Sequence, residues 1–403
     1  MIEADVCVVG GGPGGAATAT ALARAGRDVV LVDKATFPRD KCCGDGLTAG
    51  ALRRLEQLGL LPGAVASWRI VDDVWVRSPS GRTVRFPLPR GQGVFAAVAR
   101  RFELDAAVLD LARAAGVKVH DGHGLIGASQ DAGGVTLAVE GLGDVRARYA
   151  VGADGTFSPL ARALGARSGR ELGEFHAFRQ YFGGVAEPAA TGLWVFFEPD
   201  LLPGYAWSFP LPDGRANVGF GVPRRAGETV QRMKDQWPEL LARDHVRAVI
   251  GRDAQPEAPH RAWPIPAHVD RAVLACGRAL FVGDAAGGAD PMTGEGIGQA
   301  LEMAELAAEA MLAAGAEAPG AAARRYRQRV TAALVADHRM SMRLTRVLSH
   351  RKGARGAIRA AGLTPWTRRN FGRWLFEDYP RAMIVTPGRW HRGMFRGTGA
   401  YAH

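Results

Sequence analysis

No stretch of this chain approaches the ~20 uninterrupted apolar residues of a membrane-spanning helix. The first apolar run is only strand-length and follows Glu3 and Asp5, so no secretory leader is expected. Cysteine is scarce. Cys7, Cys42, Cys43 and Cys276 are the four in 403 residues, too few for a disulfide framework. A reducing, cytoplasmic setting is therefore expected, and Cys7 and Cys276, inside apolar strand patterns, read as small buried hydrophobes. No metal site is expected. Acidic residues are missing where basic ones crowd: residues 351–403 hold eleven Lys or Arg against Glu377 and Asp378 alone, which is nine of the net +11.

That tail, Arg392 included, interleaves its charges with Trp366, Phe371, Trp374, Phe376, Tyr379, Trp390, Phe395 and Tyr401. Basic and aromatic residues mixed in this way suit peripheral contact with an anionic membrane on the cytoplasmic face. Nucleic acid is the weaker rival. A docked segment whose arginines cover the core is the plain alternative to the membrane, and both stand open. Elsewhere the composition is that of a globular protein, 47 % hydrophobic, long enough for two or three domains.

The organising stretch is Ile2 to Lys34. Val6-Cys7-Val8-Val9 is a continuous apolar run, as in a strand buried on both faces of a parallel sheet. Gly10-Gly11-Gly12-Pro13-Gly14-Gly15 follows, with G-x-G-x-x-G at Gly10, Gly12 and Gly15. A small-residue helix runs from Ala16 to Ala25 and stops at Gly26, and Asp28–Val32 forms a second strand ending on Asp33 and Lys34. Gly10 makes the tight turn, Gly12 lets a pyrophosphate approach, and Gly15 lets helix and sheet pack closely. The helix N-terminus faces the phosphates, and Asp33 is placed for a ribose. No second such motif occurs, so one tightly bound dinucleotide is expected.

Further along, Phe37 to Leu47 is a polar loop with adjacent Cys42 and Cys43 between Lys41 and Gly44-Asp45. Thr48–Leu58 is an amphipathic helix, and Val74–Arg77 with Thr83–Phe86 make a hairpin. Arg100 and Arg101 precede a helix over Glu103–Ala115, and Val117–His120 is another parallel strand. Val135–Val139 and Val145–Ala150 form a hairpin that leads to Asp154-Gly155 and to Ser158 and Arg162 on a short helix. From Phe175 to Val222 alternating strands predict a second, antiparallel sheet. Tyr205, Trp207 and Phe209 share one face there, more as sheet core than as a substrate wall. Arg271–Val282 returns to the parallel pattern and ends in Gly283-Asp284. Pro291 to Gly298 then opens a long helix, Gln299–Ala314, a second ligand contact at the carboxyl edge of the sheet. Beyond Pro319 the chain reads as helical.

Four of these elements together resemble the p-hydroxybenzoate hydroxylase fold group: the glycine turn with Asp33, Arg100 or Arg101 before its helix, Gly152-Ala-Asp154-Gly155, and Gly283-Asp284-Ala285-Ala286 with Pro291. Within it, Phe37-Pro38-x-x-Lys41-x-Cys43-Gly44-Asp45-Gly46-Leu47 and Tyr205-x-Trp207-x-Phe209-Pro210 with Gly219-x-Gly221 resemble the geranylgeranyl reductase family. Halogenases of this fold are similar but carry Trp at Tyr205 and Ile at Phe209. The resemblance implies an α/β fold, with a Rossmann-type FAD-binding domain in three segments (1–70, 95–165, 268–318). A β-sheet substrate domain would take 71–94 and 166–267, and a C-terminal helical segment 319–403. It implies non-covalent FAD held by Gly10, Gly12, Pro13, Gly14, Gly15, Asp33, Lys34, Lys41, Cys43, Gly44, Arg100 or Arg101, Asp154, Gly283, Asp284, Pro291, Gly294, Gly296 and Ile297. Asp284 would take the ribityl chain, and Gly294-Glu295-Gly296 would lie under the flavin pyrimidine.

The activity implied is reduction of carbon–carbon double bonds in a prenyl chain of a lipid, chlorophyll or quinone. NADPH or a reduced electron-transfer protein would reduce the flavin. The Ala-, Gly- and Arg-rich composition suits a GC-rich bacterial genome, and a menaquinone side chain is one target. An isolated alkene is not electrophilic, so a proton must accompany the hydride from flavin N5. Cys43, Asp45, Tyr205, Trp207 and Glu295 are the candidate catalytic residues. Cys43 is open between proton donor and positioning group, because an ordinary thiol with pKa near about 8.5 is a weak acid. Glu295 is a second proton source or a first-turn carboxylate stabilising its helix. The alternatives are an FAD-dependent monooxygenase or halogenase tailoring an aromatic compound, and a non-catalytic basic adaptor.

Overall fold

Val6–Val9 and Val29–Val32 are buried runs rich in β-branched residues, and they pair in parallel with Val6 opposite Val29 and Val9 opposite Val32. In the computed structural model, which describes residues 1–169, 172–224, 230–390 and 394–402, this pair is the centre of the first sheet. Arg392 of the basic tail lies outside the described residues. Strand Ile2–Val9 also pairs in parallel with Gly143–Gly152, Val9 opposite Gly152. Gly152 in turn faces Phe281 of strand Ala279–Phe281, and Val29–Asp33 carries Lys118–Asp121 on its far side. These registers bring the ends of four strands level. Gly10, Asp33, Asp154 and Asp284 therefore emerge at one edge, two of them from parts of the chain far apart in sequence.

Parallel neighbours require crossovers, and three helices supply the cover. Pro13–Arg24 packs between Arg101–Ala114 and Ile297–Ala314. The strand Leu125–Gln130, absent from the sequence expectation, extends the sheet beside Val135–Val139. Its residues are half-buried or exposed without strict alternation, so it carries little periodic signal.

The second sheet runs in the order Gln255–Pro256, Phe175–Gly183, Arg215–Pro223, Tyr205–Leu211, Leu193–Phe196, Asp73–Arg77, Thr83–Pro87, with Arg261–Ile265 also on Phe175–Gly183. The early hairpin joins it through a parallel pair in which Leu193 faces Val74. Tyr205–Leu211 and Arg215–Pro223 are joined through Pro212, Asp213 and Gly214, with Leu211 opposite Arg215 and φ near +60° at Asp213 and Gly214, positions that suit Asp and Gly. A short sheet of Gly46–Thr48, Ala96–Val98 and Arg69–Ile70 stitches the two larger ones together.

Helices Pro319–Val330, Ala336–Leu348, Arg351–Ala361 and Pro365–Leu375 follow. The expectation of helix to the end holds only to Leu375. Pro380, Pro387, Gly388, Gly397 and Gly399 break the pattern beyond it, and single turns and extended chain lead to Ala400, which exchanges backbone hydrogen bonds with Val94 at 2.7 and 3.0 Å. Arg373 and Arg381 are clasps in this segment. Arg373 is 3 % exposed, pairs with Asp378 and donates to the carbonyls of Phe395 and Gly397. Arg381 donates to those of Trp374 and Leu375. For these two the docked reading of the tail holds; Lys352, Arg355 and Arg359 stay exposed. Among the described residues no helix is long and apolar enough to cross a membrane.

Candidate active site

The level strand ends open on a cavity of about 980 Å³, lined at one end by the glycine turn and at the other by the C-terminal helices. Of the site residues read from the sequence, all line it except Gly15, Arg100 and Asp45. Gly15 serves from behind: a Cβ there would fall 1.8 Å from the Gly10 carbonyl oxygen, and one on Gly10, at φ +108°, would fall 2.3 Å from that of Ala153. Only glycine lets turn, helix and third strand close this far.

At the turn, helix Pro13–Arg24 begins on Gly12 with no side-chain cap and proline at its first position. Its leading N–H groups are left for an anion. A Cβ on Gly12 would stand 3.6 Å from an Arg39 guanidinium nitrogen and 4.0 Å from one of Arg101. Both guanidiniums share the buried Asp105 carboxylate, at 2.7 Å for Arg39 and 2.6 Å for Arg101. Two cations on one anion leave a positive charge beside the turn, as a pyrophosphate requires. Of Arg100 and Arg101, Arg101 lines the cavity, whereas the Arg100 guanidinium stacks on the Tyr181 ring at 4.4 Å.

Asp33 accepts from Gly11 N–H at 2.6 Å and Ala35 N–H at 2.8 Å, which fixes its carboxylate at the rim with lone pairs to spare for a hydroxyl. Asp154 accepts from Leu160 N–H at 2.9 Å, and its other oxygen is buried with no partner among the described residues. Burial pushes its carboxyl up to about 6. Asp284 accepts from Thr156 Oγ1 at 3.2 Å, Trp263 Nε1 donates to the same hydroxyl, and Lys41 Nζ sits 3.6 Å above the Trp263 ring. Burial brings Lys41 down to about 8 despite the pull of Asp284. Glycine cradle, net cation, orphaned acceptor and acid at the next strand end together fit FAD.

Toward the other end, the rings of Tyr205, Trp207 and Phe209 stand about 6 Å apart in succession and face the cysteine loop. Phe209 lies where Cβ atoms on Gly44 and Gly46 would be, at 3.3 and 3.2 Å. The three rings are thus a cavity wall rather than buried core, although Trp207 is only 6 % exposed. Its indole donates to Asn217 at 3.0 Å, and Asn217 donates to the Cys43 carbonyl at 2.8 Å and to Asp45 at 2.7 Å. Asp45 has φ +65°, which turns its side chain behind the wall, where Tyr181 also donates to it at 2.7 Å. It anchors the loop and does not line the cavity. Burial lifts its carboxyl to about 6 and the Cys43 thiol to about 11.

Glu295 lines the cavity and also accepts from Gly298 N–H at 2.9 Å, the contact of a carboxylate that braces the start of its helix. Burial first, and the charge of Glu377 second, push it up to about 8. Tyr205 donates its hydroxyl to the Thr293 carbonyl, tying the aromatic strand to the loop before that helix. Sequence reasoning missed Asn217, Tyr181, Arg39 and Glu377. For Asn217 the signal was there, a lone amide among apolar strand residues. The far wall, with Leu344, Leu348, Ile358, Phe371, Trp374 and Leu375, comes from the helices after Ala336.

A family profile described as an FAD binding domain matches residues 3–337. A menaquinone reductase of Mycolicibacterium smegmatis is 36 % identical over 330 residues, 78 % of this chain and 77 % of that one. Digeranylgeranylglycerophospholipid reductase 1 of Methanopyrus kandleri is 31 % identical over 328 residues, 76 % of this chain and 80 % of that one. Among solved structures, a geranylgeranyl bacteriochlorophyll reductase-like protein of Thermoplasma acidophilum superposes with a TM-score of 0.79 at 20 % identity, covering 96 % of this chain and 99 % of that one. With the cradle for a flavin and the aromatic strand facing the cysteine loop, the chain belongs to the geranylgeranyl reductase family of FAD-binding oxidoreductases.

Proposed function

We propose that the protein reduces isolated double bonds in the prenyl chain of a quinone or lipid. The observation that carries this is the continuity of one cavity from the flavin cradle, past three aromatic rings, to a wholly apolar wall of C-terminal helices. A compact aromatic substrate has no use for that length of apolar wall, whereas a prenyl tail desolvates against it at about 25 cal/mol per Å².

Gly10–Gly15 with Arg39 and Arg101 would hold the pyrophosphate, Asp33 a ribose, Asp284 the ribityl chain and the Gly294–Gly296 loop the ring. Reduced FAD, when bound, supplies the hydride. Proton delivery falls to Glu295. Burial raises both the Glu295 carboxyl, to about 8, and the Cys43 thiol, to about 11, which leaves Cys43 the weaker acid. Cys43 is then a positioning group, held by Asn217 through its carbonyl. The faces of Tyr205, Trp207 and Phe209 stabilise the cationic character that protonation builds on the alkene.

We further propose that the helical end rests on an anionic membrane. Residues 338–376 hold ten Lys or Arg and no Asp or Glu. Val347 at the cavity wall, Leu363 and Trp366 are 49, 65 and 59 % exposed. An apolar mouth inside a cationic rim matches a lipid surface carrying the substrate. NADPH or a reduced electron-transfer protein would recharge the flavin, which anaerobic bleaching by NADPH separates.

The test is anaerobic incubation of photoreduced holoenzyme with a prenyl quinone and with a digeranylgeranyl lipid. Gain of two hydrogens in either is the expected result. Gain of oxygen or halogen on an aromatic compound, only in air, would replace this reading by the monooxygenase or halogenase one. Flavin turnover that no substrate stimulates would leave a non-catalytic adaptor.

A further inference from the structure

Glu377 follows the helix Pro365–Leu375 and sits at φ +57°, a backbone that a non-glycine residue keeps only where its surroundings fix it. The fixing contacts are specific. Oε1 accepts from Gln299 at 2.7 Å and Oε2 from the Thr48 hydroxyl at 3.0 Å, while the neighbouring Phe376 carbonyl accepts from Ala49 N–H at 2.8 Å. Glu295 is braced on the same helical turn. Its Oε1 accepts from Gly298 N–H, and a Cβ on Gly298 would stand 3.4 Å from Glu377 Oε2.

A third carboxyl, Asp290, is 6 % exposed. Its Oδ1 takes the N–H groups of Met292 and Thr293 and the Thr293 hydroxyl, and its Oδ2 takes the Ser341 hydroxyl. Among the described residues one cation pairs with the group, Arg381, 3.5 Å from Glu377 Oε1, while Arg54 beside it is taken by Glu302 and Glu305. The other titratable neighbours, the Tyr205 hydroxyl and the Cys43 thiol, are neutral, each pushed up chiefly by burial. Glu295 and Glu377 both ionised would outnumber the one guanidinium, and the Asp290 charge raises Glu377 further, so the pair of glutamates holds a proton. Gln299 Oε1 is buried with no partner among the described residues, an unused acceptor beside the pair.

We infer that Glu377 is a positioning residue for proton delivery: locked by Thr48 and Gln299, its negative charge keeps the proton on the cavity-facing Glu295. This rests on Glu295 being the donor in the proposed reduction. In that step the Glu295 O–H bond breaks as a C–H bond forms on one alkene carbon, and the hydride from reduced flavin completes the other. Glu295 is left as carboxylate and regains its proton from solvent. Burial raises both glutamates, Glu295 further through the charge of Glu377 and Glu377 further through that of Asp290.

The experiment uses holoenzyme carrying Glu377→Gln, Glu377→Asp or Glu295→Gln, with two readouts taken between about pH 6 and pH 10. One is the rate of prenyl-alkene reduction, and the other is the infrared carbonyl band of a protonated carboxyl. In Glu377→Gln the alkaline limb of the rate and the loss of the band both move down by about one pH unit or more, and Glu377→Asp keeps them near wild type. Glu377→Met, which also lacks the charge, replaces Glu377→Gln if that variant does not fold. A uniform loss of rate at every pH, with limb and band unmoved, overturns the inference and leaves Glu377 structural. Glu295→Gln at wild-type rate with its limb intact overturns the donor reading itself, and is distinguishable because it does not involve Glu377.

Discussion

Asn217 holds the cysteine loop to the aromatic strand: its amide donates to the Asp45 carboxylate at 2.7 Å while its carbonyl receives the Trp207 indole. Asn217→Ala leaves a buried carboxylate and a buried indole N–H short of a partner. A loss on the order of 1–3 kcal/mol is expected, read as a fall in thermal midpoint. Alkene reduction should fall further than flavin binding, because the loop is displaced from the ring wall while the glycine turn is untouched. Equal loss of both would mean the loop is not set by this residue.

Gly15→Ala tests the cradle from behind. The added methyl would meet the Gly10 carbonyl at 1.8 Å, so turn and helix must separate. The expected outcome is protein that purifies without yellow flavin absorbance although its far-ultraviolet circular dichroism is retained.

Glu295 holds its proton more tightly in the folded chain than in the unfolded one, up to about 8 against an ordinary 4.5. The native state therefore binds the extra proton, and stability falls as pH rises from about 4.5 through about 8. Glu295→Gln removes that slope. Thermal midpoints at pH 6 and pH 9 should lie closer together in the variant than in wild type, by an amount on the order of a few kcal/mol in stability.

Lys352, Arg355 and Arg359 lie exposed on the helix Arg351–Ala361. At about 1 kcal/mol each on an anionic surface, replacing all three by Ala should weaken sedimentation with phosphatidylglycerol vesicles on the order of a hundredfold. Added salt should weaken the wild type likewise. Turnover of a detergent-solubilised substrate should be unchanged.

Ile358 is 3 % exposed and lines the far wall. Ile358→Trp should leave the flavin spectrum alone, abolish turnover of long prenyl chains and spare short ones. Equal turnover of both lengths would place the chain elsewhere.

The flavin cradle was legible because its constraints are local. A glycine whose Cβ would fall 2.3 Å from a carbonyl oxygen, or an acid at a strand end, can be read from a few adjacent letters. Asp45 was not, because its left-handed φ reverses the side chain relative to Cys43 and Gly44, and no spacing rule encodes that. The aromatic strand was legible as a strand, and its periodicity put the three rings on one face. Which face meets the cavity depends on the cysteine loop docking from the other sheet. The far wall and Glu377 were hidden for a similar reason, since their positions follow from a tail that returns to Thr48 across 329 residues, to Gln299 across 78, and to Val94.

The cavity runs from the glycine turn to the apolar wall of the C-terminal helices, and that length gives it the property of a gauge. If a polar headgroup stays at the mouth, only the isoprene unit lying a set number of carbons inward comes abreast of Glu295 and the rings. Regiochemistry would then be dictated by the depth of the tunnel rather than by any recognition of the bond itself, and units nearer or farther along the same tail would be left unsaturated.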